Sequence, residues 1–305
     1  MGFPLCFHAP VRANYFQGGG RMKLPSGASL DFSGPALVMA VVNCNDDSFY
    51  APSRALRGDA VEKALAAEGE GAAIVDFGAE STRPGSAYIG AEEELERLLP
   101  VIEAFRKRSA LPVSVDTRKA VVAARALDAG ADIINDISGL LDDPAMAQLC
   151  AERGAAVVLM HKKGVPLTMQ ENPRYENPAD GKRSLTDELR SWFRSAVGRA
   201  VGSGIPKSRI ILDPGIGFGK NLGHNLEILR CLVEILGKDY PVLIGLSRKS
   251  FIGEITGRPE AERLAGTLAA NAAAIFGGAD IIRVHDVKEH VDLAKVLFAL
   301  RAGCG

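Results

Sequence analysis

LPVSVDTRKAVVAARALDAGADIIN, residues 111–135, decides the fold. PVSV is a short, mostly apolar run that stops at Asp116. KAVVAARALDAG repeats apolar residues at helical spacing and ends at Gly130. ADII is a second apolar run, and it stops at Asn135. A buried strand, an amphipathic helix and another buried strand in that order predict two parallel strands joined by a crossover helix. Both strands finish on a polar side chain, at the end where such units carry their chemistry.

The same unit recurs in both directions. ALVMAVV runs to Asn43, AAIV to Asp76, AAVVLM to His161, RIIL to Asp213 and PVLIGL to Ser247, while DIIRVHD carries Arg283 and His285. Helices are predicted at DAVEKALAAEGE, EEELERLLPVIEAFRKR, DPAMAQLCAERG, SLTDELRSWFRSAVGRAVGSG, NLEILRCLVEILG, ERLAGTLAANAAAIFGG and VKEHVDLAKVLFALR. Roughly eight such units after Met22 predict one (β/α)8 TIM barrel over residues 22–305, an α/β fold; an open doubly wound sheet is the alternative. A short hairpin-like segment, ASLDF, precedes the first barrel strand. Residues 1–21 lack the basic start and apolar core of a signal peptide and close on a glycine run, so a flexible N-terminal extension is expected there.

Composition narrows the function. The 305 residues are 47% hydrophobic with 33 glycines, as in a small-residue α/β enzyme, and the net charge of −1 offers no field for a polyanion, which argues against nucleic acid as partner. No apolar run is long enough to span a membrane. The five cysteines are scattered without close pairs, as expected of a reducing, cytoplasmic setting, and Cys44 reads as a packed small residue.

The polar strand ends should meet at one mouth. Asp76, Asp116, Asn135 and Asp213 close apolar runs, where an unpartnered carboxylate costs several kcal/mol, so they predict a ligand rich in N–H donors, such as a flat heterocycle with an amino-pyrimidine edge. Asp136 is equally well read as a helix or turn cap. LDPGIGFGKN lets the backbone approach a ligand and presents Phe218, without the spacing of a dinucleotide site. GLSRKSFIG places Ser247, Arg248, Lys249 and Ser250 before a helix, and Arg283 and His285 are two apart on one strand, able to point inward together. These groups predict a phosphate or pyrophosphate site. His161 is a possible strand cap, and His8, His224 and His290 read as surface residues. No HExxH, Cys/His cluster or hydrolase triad is present. Mg²⁺ arriving with a phosphate ester needs only one or two protein oxygens, and Asn43 can supply one.

Taken together, these segments resemble the dihydropteroate synthase family, which joins a pterin methyl pyrophosphate to p-aminobenzoate. The resemblance runs from about Met22 to the C-terminus and rests on GAESTRPG (78–85), SVDT (114–117), INDI (134–137), LMH (159–161) with TMQ (168–170), LDPGIGFGKN (212–221), SRKS (247–250) and IRVHD (282–286). It implies a (β/α)8 barrel, commonly a homodimer. It also implies that Asp116, Asn135, Asp213 and Lys249 hold the pterin edge, that Ile137, Met160 and Phe218 line the slot, and that Arg283 stacks on the ring. Asn43, Arg283 and His285 would bind pyrophosphate with Mg²⁺, while Phe49, Thr82, Arg83, Pro84, Lys249 and Ser250 would enclose p-aminobenzoate. An SN1-like alkyl transfer follows, in which pyrophosphate leaves before the weakly nucleophilic amine attacks.

One loop departs from the family pattern. Where the family has Asn-Val-Thr-Pro-Asp-Ser-Phe-Ser-Asp-Gly-Gly, this chain has Asn43, Cys44, Asn45, Asp46, Asp47, Ser48, Phe49, Tyr50, Ala51, Pro52 and Ser53, so the second Asp and the hinge glycines are missing. Asp47 and Arg54 are candidates to compensate. Two other readings share the barrel: a pterin-binding methyltransferase, which has no need of SRKS or STRPG, and a non-catalytic pterin-binding barrel.

Overall fold

The computed structural model describes residues 20–44, 53–80, 89–165, 168–175 and 184–302, with the backbone alone at 53–58 and 302. Eight parallel strands form the barrel wall: β3 (Leu37–Asn43), β4 (Ile74–Gly78), β5 (Val113–Asp116), β6 (Ile133–Asp136), β7 (Ala156–Met160), β8 (Ile210–Asp213), β9 (Leu243–Gly245) and β10 (Ile281–Val284). The order β8-β7-β6-β5-β4-β3-β10-β9 is joined into a ring by a parallel bridge between Leu212 and Val242, where the Leu212 N–H donates to the Pro241 carbonyl at 2.9 Å. The closed barrel therefore holds, and the open sheet does not. Around it lie α1 (Ser53–Gly69), α2 (Ala91–Arg106), α3 (Ala120–Asp128), α4 (Met146–Arg153), α5 (Leu185–Gly202), α6 (Leu222–Arg230), α7 (Leu232–Leu236), α8 (Ser250–Thr256), α9 (Leu264–Phe276) and α10 (Val287–Ala302).

Alternation along the strands divides the core in two. Val75, Phe77, Val113 and Val115 pack outward on the helices, with Phe77 edge-on to Phe105 of α2 at 5.6 Å. Met39, Ile74, Ile133, Ala156, Val158, Ile211, Leu243 and Ile281 form a separate apolar cluster with Met22, Leu24 and Leu30. The last three belong to an antiparallel hairpin, β1 (Arg21–Lys23) and β2 (Ser29–Asp31), which closes the N-terminal end of the barrel. The fully buried Asp132 fixes the plug, accepting from the Ser26 N–H at 3.0 Å, Arg106 Nη2 at 2.7 Å and the Val113 N–H at 3.1 Å. Every donor a carboxylate wants in a dry interior is present there.

Several expectations are corrected. β4 does not stop at Asp76 but continues to Gly78, because the two-residue alternation persists: Phe77 packs outward and Gly78, which has no side chain to accommodate, lies opposite Asp116. The helix expected over 225–237 breaks at Cys231, and α8 stands ahead of α9. His290 is not a surface residue. It shares the face of Val287, Val291, Ala294 and Leu297 on α10, is fully buried, and its Nδ1 meets the Asp286 carbonyl at 2.5 Å. His224 is half-buried and caps α6 with Asn221, and His8 lies outside the described residues.

Candidate active site

At the C-terminal end of the strands the interior turns polar. Asp76, one layer inside the mouth, is fully buried. Its Oδ2 accepts from Arg283 Nε at 2.6 Å and from Asn135 Nδ2 at 3.3 Å, while Arg283 Nη2 reaches Asp116 Oδ2 at 3.3 Å. Strands β4, β5 and β10 are thus linked through one guanidinium, and β6 joins them through Asp76. Three buried polar atoms remain without a protein partner in this cluster: Asp76 Oδ1, Ser114 Oγ and Asn135 Oδ1. A buried acceptor left unmatched costs about 1–3 kcal/mol, so this rim suits a ligand that brings N–H donors.

Electrostatics agree with the geometry. Burial pushes the Asp116 carboxyl up to about 8; Arg283 opposes the shift and Asp76 adds to it. Burial likewise raises Asp213, against the pull of Lys249. Lys249 is driven down to about 8 by burial, with Asp213 opposing and Arg283 assisting. Burial alone would lower the Arg283 guanidinium, but Asp76 and Asp116 carry it above its ordinary value. Two cations and three acids therefore share one partly desolvated volume.

The facing wall is the glycine-rich loop after β8. The Gly215 N–H donates to Asp213 Oδ1 at 2.7 Å, and Lys249 Nζ donates to the Ile216 carbonyl while lying 4.8 Å from the centre of the Phe218 ring. Lys249 faces this loop because Arg248 turns the chain through a left-handed conformation, φ 57°, held by Asp286 at 2.5 and 3.1 Å. Beside it Ser247 Oγ meets His285 Nδ1 at 2.9 Å and accepts from the His285 N–H at 3.3 Å. The expectation that His285 points into the barrel with Arg283 is corrected: β10 ends at Val284, and His285 is exposed on the rim. Ser250 opens α8 and is exposed.

The remaining expected residues divide by location. Met160 ends β7 and Ile137 follows β6, both buried; Phe218 is half-buried, and Asn43 is exposed at the end of β3. Phe49, Thr82, Arg83 and Pro84 lie outside the described residues, as does the atypical loop from Asn45 to Pro52. Asp136 ends β6 and its side chain caps the following turn, accepting from the Ser138 and Leu140 N–H groups at 2.8 and 3.0 Å. The Cys44 thiol is pushed up to about 12 by burial, which fits packing rather than nucleophilic attack.

Two features were not among the expected site residues. Glu80 accepts from the Ile89 N–H at 2.9 Å, Lys119 at 2.8 Å and Arg118 at 3.0 Å, with Lys119 also on the buried Glu94 at 2.5 Å, so it ties both stems of the β4–α2 loop. The paired Arg118 and Lys119 just past a strand end were the available signal. Lys220 is buried, and nothing in its sequence neighbourhood announces that. Among the described residues no group of three or more His, Cys, Asp or Glu is arranged to hold a metal, and no helix is long and apolar enough to cross a membrane.

Residues 39–285 match the family described as pterin binding enzyme. The dihydropteroate synthase of Escherichia coli K12 is 44% identical over 280 residues, covering 91% of this chain and 96% of that protein. Two solved structures superpose closely. The Yersinia pestis dihydropteroate synthase with a sulfonamide drug complex gives a TM-score of 0.83 at 40% identity, covering 91% of this chain and 98% of that one. The Xanthomonas albilineans dihydropteroate synthase with 4-aminobenzoic acid gives 0.84 at 38% identity, covering 93% and 99%.

Proposed function

This chain belongs to the pterin binding enzyme family, and we propose that it catalyses the dihydropteroate synthase reaction, condensing 6-hydroxymethyl-7,8-dihydropterin pyrophosphate with p-aminobenzoate to release pyrophosphate in folate biosynthesis. The observation that carries this is the acceptor rim at the mouth: Asp116, Asn135 and Asp213, set beside Arg283 and Lys249, with buried acceptors awaiting N–H donors. An aminopyrimidinone edge supplies such donors. The SRKS turn with Ser247 against His285 supports a pyrophosphate grip, which a methyl transfer would not need.

Asp116, Asn135, Asp213 and Lys249 take the polar edge of the pterin; Ile137, Met160 and Phe218 line the slot, and Arg283 stacks over the ring. Arg283 and His285 meet the pyrophosphate. Phe49, Thr82, Arg83, Pro84, Lys249 and Ser250 enclose p-aminobenzoate, and sulfonamides that mimic it are expected competitors at that subsite.

The aromatic amine is a weak nucleophile, so departure of the leaving group leads. The bond from the pterin methylene to the pyrophosphate oxygen breaks with its electron pair on oxygen, where Arg283 and His285 stabilise the anion. The electron-rich pterin spreads the cation, the amine nitrogen forms the new C–N bond, and its proton is lost. The donor set fits Mg²⁺ only where the substrate brings most of the oxygens, with Asn43 the protein ligand offered. When bound, the ion supplies charge neutralisation at the pyrophosphate.

A homodimer is supported by the outward face of α9, where Ala265, Ala269, Ala273 and Phe276 are exposed at near-helical-repeat spacing. Three free cysteines among the described residues suit the reducing cytoplasm. A coupled pyrophosphate-release assay with and without p-aminobenzoate tests the activity. Product with the native chain, and joint loss of turnover and pterin affinity in Lys249→Ala, are expected; pterin binding without product in the native chain would identify a binding module instead. Release of pyrophosphate without the amine, or its exchange back into the pterin substrate, supports the stepwise order, and strictly concerted release defeats it.

A further inference from the structure

We propose that Lys220 is a positioning residue of the pterin slot: its buried side-chain amine ties the end of β7 to the glycine-rich loop and so sets the separation of Met160 from Phe218. The inference rests on the reading above that these two side chains are the walls of the slot.

Lys220 is 2% exposed, and its Nζ meets three neutral acceptors: His161 Nδ1 at 3.0 Å, the His161 carbonyl at 3.2 Å and the Phe218 carbonyl at 3.1 Å. Burial drives this amine well below the ordinary lysine range, and in its protonated form its three N–H groups match these three acceptors one for one. Among the described residues it has no salt-bridge partner. If filling space were the whole task, an apolar side chain of similar volume would do it without the desolvation cost. The bonds instead span two loops, one following Met160 and the other containing Phe218.

The neighbourhood makes the same join repeatedly. Gln170 Nε2 donates to the Gly217 carbonyl, and the Tyr175 hydroxyl donates to the Gly219 carbonyl at 2.7 Å. The two loops approach so closely that a Cβ on Gly215 would stand 2.0 Å from the His161 carbonyl oxygen, and one on Gly219 would stand 2.2 Å from that of Lys163. When Lys220 donates, His161 Nδ1 accepts and the imidazole proton sits on Nε2; the ring stands edge-on to Trp192 at 5.0 Å. His161 is thereby a fixed post for Lys220. Neither residue touches the reacting atoms; both act through the walls they hold.

The test is Lys220→Met, read by calorimetric binding of 6-hydroxymethyl-7,8-dihydropterin pyrophosphate, by KM for each substrate and by thermal melting. Small misplacements of binding walls are costly, so pterin affinity should fall about tenfold or more, while KM for p-aminobenzoate at saturating pterin moves less than about twofold. A lower melting temperature with unchanged pterin affinity per folded molecule overturns the proposal. Should Lys220→Met fail to fold, His161 decides. His161→Asn keeps an acceptor near the Nδ1 position and should retain affinity, whereas His161→Leu should lose it; equal affinities in the two overturn the proposal. Native protein that binds the pterin but makes no product defeats the synthase assignment and leaves the Lys220 binding result standing. Native protein that does not bind the pterin overturns both.

Discussion

Asp132 and Asp76 are both fully buried aspartates in one barrel, and they end up doing opposite things. Asp132, at the hairpin end, has a donor for each oxygen: the Ser26 N–H on Oδ1, and Arg106 with the Val113 N–H on Oδ2. Asp76, at the mouth, has Oδ2 held by Arg283 and Asn135 but Oδ1 unmatched, beside the unmatched Asn135 Oδ1 and Ser114 Oγ. A satisfied buried charge belongs to the fold, whereas an under-satisfied cluster stores unfavourable free energy that a ligand relieves. One end of the barrel is finished by its own chain and the other by its substrate.

The hardest strain on that contrast is Arg283→Gln, which leaves Asp76 and Asp116 without their shared cation. At a group that both holds the acids and meets the leaving anion, kcat/KM should fall by about 10³-fold or more, with a loss of about 3–5 kcal/mol in stability. Steady-state kinetics and denaturant melts report both; normal turnover would end the assignment of the mouth as the reacting centre. Asp132→Ala is the counterpart, expected to cost about 3 kcal/mol through uncompensated Arg106 and exposed backbone donors while leaving both KM values alone. A changed pterin KM there would mean that the two ends are not independent. Met22→Ala, which opens a cavity where the hairpin meets Met39 and Ile74, should cost about 2–3 kcal/mol with kcat unchanged.

The closed barrel was legible because its signal is local: each strand carries its own apolar run, and each polar terminus is adjacent in sequence to the run it ends. The acids of the rim were legible for the same reason. What stayed hidden depends on contacts between distant segments. Asp76 stood out as a strand-end acid, but its place as the hub needs Arg283, 207 residues away, to fold against it. Lys220 has nothing beside it in sequence to mark it as buried, and its partner His161 is 59 residues distant. His290 is the exception, since its spacing from Val287, Val291, Ala294 and Leu297 was in plain view and the residue type outweighed the period.

The finest test of the contrast is Asp116→Asn, because here the site and the fold should respond with opposite signs. Burial raises the Asp116 carboxyl from 3.8 to about 8, so between those pH values the folded chain holds a proton that the unfolded chain has released. Stability from this group is therefore fully present below about pH 4 and is lost progressively as pH rises to about 8. Asn carries no such charge, so the variant should melt at least as high as the native chain at pH 5 and higher, on the order of 1 kcal/mol, at pH 8. Pterin affinity should fall in the same variant, because the N–H donors of the heterocycle stabilise the ionised carboxylate on binding, a form that Asn cannot take. Melting curves across pH 5 to 8, paired with pterin titrations, separate the two responses. A variant less stable than the native chain at pH 8 would show that the Arg283 bond outweighs desolvation, and that Asp116 resembles Asp132 more than it resembles a residue shaped for a ligand.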